Sequence, residues 1–356
     1  SSVYGTYLNA AVNDEDGFLN THSGQFSGAL GHGGGYGMVY RKTGTMLYNL
    51  QYVLGEELFL NAMKNYFNQW MFKQPYPEDF RNSIIHYTKT DLNWFFDQWI
   101  ETDKKIDYAI KSAKKGKGKN EYIINLKRKG RMQMPLDFTV YDNCGNKKSY
   151  HVPNNWFTKK TDATILQRWI DWDKLNPTYK ATVISDCGIG NVVIDTSNLL
   201  ADVNKLNNSL TFPVKAKFDP LLTPAPPLDW NSYRIRVRPD VWYNSYDGVK
   251  AGVFLDGGYF NYVHKIKAGF LLNTGIGSCC LPDSADINKH DQASFLLAYE
   301  TPLQFISKNF SIMAEIKHID GLQQGLLYAQ QLSKDEKIKL FTYFKSMYRK
   351  NNSDAA

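Results

Sequence analysis

Tyrosine, histidine and carboxylate side chains are the groups in this sequence that could do chemistry, and their spacing limits what chemistry that is. Tyr40 stands in Tyr40-Arg41-Lys42-Thr43-Gly44-Thr45-Met46-Leu47, at the head of an apolar series with helical spacing. A phenol has an ordinary pKa near 10, keeps its proton at neutral pH and can donate a hydrogen bond to a developing oxyanion. Composition alone favours the plainer reading of Tyr40, a tyrosine that packs a helix entrance. The seven histidines are His22, His32, His86, His151, His264, His290 and His318. No two stand at i, i+4 and none begins H-E-x-x-H, so no single helix face offers a zinc site. His22 and His32 fall in a loop region that could face a cleft, but core or surface placement is the simpler reading for each.

Other groupings fit structural roles better than chemical ones. The run Gly31-His32-Gly33-Gly34-Gly35-Tyr36-Gly37 lacks the preceding strand and the Lys-Ser/Thr of a phosphate loop. Asp14, Glu15 and Asp16 fail the EF-hand spacing, because Val12 falls on the first ligand position when Gly17 is the required glycine. They read as a solvated turn. The cluster from Lys111 to Arg131, offset only by Glu121, reads as the solvated face of a hairpin turning at Gly116-Lys117-Gly118. No G-x-S-x-G elbow is present, so a hydrolase serine has no local support.

The elements that must position these groups follow from periodicity. Residues 1–40 are rich in turn chemistry and are expected to be mostly loop. A first helix is expected from a Thr43 cap through Leu47, Leu50, Val53 and Leu54, with Gly55 as its stop. A second carries the stripe Phe59, Leu60, Met63, Tyr66, Phe67, Trp70 and Met71. Pro75 and Pro77 break the pattern, Glu78 and Asp79 open a third helix, and Leu92, Phe95, Phe96, Trp99 and Ile100 mark a fourth. Beyond Ile106 the period shifts to two. Glu121–Lys127, Leu136–Val140, Ala181–Ile184 and Val192–Ile194 read as strands, and residues 106–196 as a small antiparallel sandwich. Five prolines between 197 and 229 mark a linker or extended wrap. Alternation resumes at Arg234–Arg238, Val249–Leu255 and Phe310–Ile316, with a polar, helix-like end from Lys334 to Tyr348.

Composition bounds the rest. The 356 residues predict two or three domains at roughly 150 residues each. With 43% hydrophobic and 22% charged residues the chain is not wholly disordered, and 14% aromatics favour β-structure and large cores. A net charge of +7 is mildly basic and does not by itself argue for nucleic acid. Four cysteines without a C-x-x-C pair make neither a disulfide framework nor a thiolate zinc site. Cys144 and Cys187 could pair across the sandwich, which spacing does not decide. No run reaches the ~18 apolar residues of a spanning helix, and the N-terminal residues show no basic head with an apolar stretch. Beginning at Ser1, the chain is expected to be a processed product or an excised piece of something longer.

A collinear series of motifs resembles a known family. Tyr40-x-Lys42-x-Gly44, Leu47, Leu54-Gly55-Glu56-Glu57-x-Phe59, Tyr76-Pro77-Glu78-Asp79-Phe80 and Asp91-Leu92-x-Trp94-Phe95-Phe96-Asp97-Gln98-Trp99-Ile100 are similar to the stretch that follows the zinc-binding helices of aminopeptidase-N-like (gluzincin) zinc metallopeptidases. Tyr122–Lys127, Lys129-Gly130, Met134-Pro135-Leu136, Ile194-Asp195 and Leu200–Asn204 look like the sandwich that follows in that family. The resemblance covers roughly residues 30–210. It implies a multidomain α + β protein: a helical segment completing a thermolysin-like catalytic domain, an antiparallel β-sandwich, and then a second β-rich module, sandwich or partial barrel. The boundaries expected are 1–105, 106–196, a linker 197–229, and 230–356.

Carried over by residue, Tyr40 matches the family's catalytic tyrosine, which donates to the oxyanion formed when zinc-bound hydroxide attacks a peptide carbonyl. Lys42 and Gly44 match framework positions. The family's H-E-x-x-H, third ligand glutamate and amine-binding glutamates are missing from this sequence. The resemblance therefore implies the C-terminal part of a zinc-dependent aminopeptidase, with zinc and peptide substrate belonging to the intact parent. This chain alone is expected to bind no zinc and to be inactive. The alternative is a non-catalytic binding or scaffolding module derived from that family. No nucleic-acid partner is expected. Strands in 230–330, such as those around Trp242-Tyr243 and Tyr259-Phe260, look like pieces of outer-membrane-type barrels, with a soluble sandwich equally compatible. The partner and location expected are the bacterial periplasm or cell envelope, through the C-terminal β-region.

Overall fold

Among the described residues, five α-helices come first and strands follow in the computed structural model of the chain. It describes all residues except 1, 14–15, 21–34, 171–174, 221–228, 246, 261–262, 278–290, 304–305, 308–309, 333–337 and 350–356. The chain divides into two units, Ser1–Phe212 and Pro213–Ala356. No described helix is long and apolar enough to cross a membrane.

The first unit opens with α1 (Ser2–Val12), α2 (Gly35–Leu54), α3 (Glu56–Trp70), α4 (Pro77–Thr88) and α5 (Asn93–Glu101). The last four match the helical reading of residues 43–101. Gly55 stops α2 with φ of 82°, a conformation only glycine adopts cheaply. Pro77 opens α4, and the Tyr76 N–H donates to Asp79 Oδ2 at 2.8 Å. Leu50, Ile84, Phe95, Phe96 and Trp99 are fully buried, and Phe80, Phe95 and Phe96 meet edge to face.

Two expectations for residues 1–40 are corrected. Tyr4, Tyr7, Leu8 and Ala11 recur at helical spacing and are buried, so α1 forms where loop was expected; the turn chemistry after it had masked the period. α2 also begins at Gly35, not at a Thr43 cap. Burial of Lys42, Thr45 and Met46 on one face outweighs the penalty of about 1 kcal/mol for each glycine in its first turns.

Next come β1 (Tyr108–Lys115), β2 (Glu121–Arg128), β3 (Leu136–Tyr141), β4 (Lys147–Val152), β5 (Thr164–Ile165), β6 (Thr178–Ile184) and β7 (Asn191–Ile194). They form two sheets in the orders β1-β2-β6 and β5-β4-β3-β7, antiparallel except for β4 with β5. Ile124, Leu126, Phe138, Val140 and Val192 are buried. A Cys144–Cys187 disulfide, with Cα atoms 5.8 Å apart, ties the β3–β4 turn to the loop between β6 and β7. β1 and β2 make the expected basic hairpin, whose lysines are exposed at the turn; Arg128 is instead buried and donates to Gly130 O at 2.8 Å.

The described residues of the second unit form one eight-stranded sheet, β15-β14-β13-β12-β11-β10-β9-β8. Its members are β8 (Val214–Phe218), β9 (Tyr233–Asn244), β10 (Gly248–Tyr259), β11 (Val263–Asn273), β12 (Ala293–Pro302), β13 (Phe310–Ile319), β14 (Leu322–Leu332) and β15 (Lys339–Arg349). All neighbours are antiparallel except β8 with β9. The end from Lys334 to Tyr348 was expected to be helix-like; from Lys339 it is a strand. Leu340, Phe341, Phe344 and Met347 do recur at helical spacing, but an unbroken register with β14 from Leu322 to Leu332 satisfies the backbone and decides the conformation.

Candidate functional site

Tyr40 lies within α2, five residues after its first residue, Gly35, not ahead of a helix as its sequence suggested. Two positions along a helix is a rotation of about 200°, so Tyr40 and Lys42 point to opposite sides. Tyr40 is 65% exposed and Lys42 is fully buried. The sequence reading assigned Lys42 no chemistry; here it is an anchor. Its Nζ donates to Gly17 O at 2.7 Å and to Thr102 O at 2.8 Å, and stands 3.7 Å from Asp16 Oδ2. Asp16 also pairs with Lys105. Burial lowers the Lys42 ammonium from its ordinary value, and the Asp16 carboxylate opposes that shift. Asp16 is thus a buried counter-ion, not the solvated turn expected from the sequence. Asp14, Glu15, His22, His32 and Gly31–Gly34 lie outside the described residues.

Further along the same helix, Gly44 lets α1 approach closely, since a Cβ there would sit 3.1 Å from Val3 Cγ1. Asn49 Nδ2 donates to Thr45 O at 2.8 Å, while its Oδ1 accepts from the Ala201 N–H at 3.1 Å. Tyr52 then accepts from the Asp137 N–H at 2.7 Å. Asp137 itself holds His151 Nδ1 at 2.6 Å and Lys159 Nζ at 2.5 Å, and the Lys159 ammonium lies 4.2 Å from the centre of the Tyr52 ring. Burial pushes the Asp137 carboxyl up, but the His151 hydrogen bond and the Lys159 charge outweigh it and hold it below its ordinary value. His151 is therefore a satisfied core histidine, one of the two placements, core or surface, that its sequence left open.

A third cluster lies where residues 195–208 return to β1. Asp202 accepts from the N–H groups of Tyr108 at 2.8 Å and Asn204 at 2.9 Å. Burial, reinforced by the Asp107 charge, pushes the Asp202 carboxyl up to about 8. Burial also raises Asp107, against a hydrogen bond from Asn207. Sequence spacing gave no signal for these clusters, since 94 residues separate Asp202 from Tyr108. Chemically, all three hold backbone segments in place; Tyr40 is presented outward, and so are His86 and His264. Among the described residues, no group of three His, Cys, Asp or Glu side chains could hold a metal ion.

The comparisons with known proteins fall on the same helices. Residues 36–99 match the Peptidase family M1 domain, the segment running from α2 through α5. The chain is thus similar, over that segment, to aminopeptidase-N-like peptidases, as its motifs suggested. A solved structure of Legionella pneumophila aminopeptidase A in complex with aspartic acid is similar at 15% identity and a TM-score of 0.29, over 41% of this chain and 15% of that one. A TM-score so low carries no weight for fold or function, and the match spans about a seventh of that protein's length. No curated protein matches the chain.

Proposed function

We propose that this chain contributes the helical end of an aminopeptidase-like catalytic domain, and that Tyr40 faces the reacting peptide. In this reading the Tyr40 phenol donates a hydrogen bond to the scissile carbonyl oxygen and strengthens that bond as negative charge develops. The carrying observation is the coincidence of the family match over 36–99 with an outward Tyr40 on a helix pinned from behind by Lys42. Members of that family are in general zinc-dependent. The side chains described here do not fit that ion, and the sequence has no H-E-x-x-H. The proposal therefore places the metal, and most of the peptide-binding groups, on sequence outside this chain.

The same misfit favours a second reading, a non-catalytic binding or scaffolding module derived from the family. Isolation of the native gene product from its cells separates the two. A product whose mass spectrum includes an H-E-x-x-H segment, and which contains one zinc per chain, supports the peptidase. A product starting close to Ser1 and free of zinc supports the scaffold. The Cys144–Cys187 disulfide supports an exported protein of the periplasm or envelope, since such bonds persist in oxidising compartments.

A further inference from the structure

The second unit is built inside out relative to a water-soluble sheet. Residues paired directly across antiparallel strands share a face, so the registers sort every side chain of β9 to β15 onto one side or the other. One side carries the row Val253, Phe270, Phe295 and the row Leu255, Ala268, Leu297, Ile316, continuing through Ala314, Leu327 and Phe344. In these strands that face holds no Asp, Glu, Lys or Arg. The opposite face takes the charges, among them Arg236, Asp256, Lys267, Glu300, Glu315 and Lys345. β8 keeps the rule, with Val214, Ala216 and Phe218 on the apolar side and Lys215 and Lys217 on the other.

Exposure runs the wrong way for water. Val253, Phe270, Leu297, Ile316, Leu327 and Phe344 on the apolar face are each 49–69% exposed, whereas Lys250, Ser294 and Gln324 on the charged face are 8% or less. The sheet also curls around its charged face. Asn244, at the end of β9, donates to Asp320 in the β13–β14 turn at 2.5 Å. In a flat sheet those two strands would be about 19 Å apart, four spacings of ~4.8 Å. Lys250 of β10 pairs with the same Asp320. The strands β9 to β15 are 10–12 residues long, against about 9–11 for a tilted strand that crosses a bilayer.

We propose that this sheet is the wall of a transmembrane β-barrel, with its convex apolar face against lipid acyl chains and its concave charged face toward the lumen. Alternation at period two, charge confined to the inner face and a curled sheet of strands of spanning length are what a lipid-facing wall requires. Water as the solvent for the convex face is opposed by a continuous exposed patch far beyond the scattered apolar residues of soluble surfaces. The backbone rows of the outermost strands are where the wall closes, because lipid leaves no open sheet edge. This proposal does not depend on the peptidase reading, and its failure leaves Tyr40 untouched.

The test uses the full chain folded in the presence of phosphatidylethanolamine–phosphatidylglycerol vesicles whose acyl chains carry bromine. The chain is expected to float with the vesicles and to resist alkaline extraction. The added emission of Phe270→Trp, on the convex face, is quenched by the bromines, and that of Phe254→Trp, on the concave face, is not. Leu297→Lys is expected to lower the ratio of inserted to free protein by roughly thirtyfold, the scale of a lysine near the middle of the lipid face. A chain that stays in the aqueous fraction as a monomer overturns the proposal. So does a soluble dimer that covers Phe270 without lipid, and so does a floating chain whose two tryptophans are quenched alike.

Discussion

Buried polar and ionisable side chains tie together the segments of this protein's first unit, and each makes a measurable demand. Replacing Lys42 with methionine removes its hydrogen bonds to the Gly17 and Thr102 carbonyls and weakens compensation of Asp16. Breaking such a buried pair costs about 3 kcal/mol, read as a lower urea midpoint at unchanged m-value. Asp202 sets a pH dependence. Its folded-state pKa of about 8 lies above the ordinary carboxylate value near 3.9, so between those values the folded state holds a proton that the unfolded state has lost. Stability therefore falls as pH rises from about 4 to about 8, by up to about 1.4 kcal/mol per pH unit. Urea unfolding across that range is expected to show the slope, and Asp202→Asn to flatten it. None of this was legible in the sequence. Lys42 and Asp16 are 26 positions apart and Asp137 meets His151 only through strand pairing, so one sequence without a fold cannot join them. The segment that carries Tyr40 was legible, because its motif is local and falls inside the family match over 36–99.

At the scale of elements, α2 is the piece on which the first unit is assembled. Its two faces take α1 through Gly44, the segment at Ala201 through Asn49 and β3 through Tyr52. Gly44→Leu forces a branched side chain into the 3.1 Å gap against Val3 and is expected to cost about 1–3 kcal/mol by overpacking, measured by thermal unfolding. The helices from 43 to 101 were legible because their apolar stripes are long and their stops are proline and glycine. α1 was not, because its period spans only three turns before turn residues begin. β15 misled for the opposite reason: its apolar residues satisfy a helical period by accident, and only the neighbouring β14 reveals the alternation. Reduction of Cys144–Cys187, which closes a separation of 43 residues, should lower the stability of the two small sheets by about 3–4 kcal/mol on chain-entropy grounds. Differential scanning calorimetry with and without a thiol reductant reads this as a lower melting temperature for the first unit alone.

For the molecule as a whole, the sequence divides into a part whose helices match a peptidase domain and a part whose strands sort charge to one face. The first half of that division was readable from motifs, since Tyr40, Gly55 and Pro77 are signals carried by single residues. The second was faint, because each strand alternates only weakly and the sorting emerges when seven registers are laid side by side. The claim that organises the first unit is that α2 is held rigid so that Tyr40 can meet a developing oxyanion. Steady-state hydrolysis of an aminoacyl 4-nitroanilide by the zinc-loaded native gene product, compared with its Tyr40→Phe variant, tests it most directly. The expected result is a kcat lowered about 10²–10³-fold, the scale of one lost oxyanion donor, with KM little changed and the urea midpoint unaltered. An equal kcat in the two proteins contradicts it.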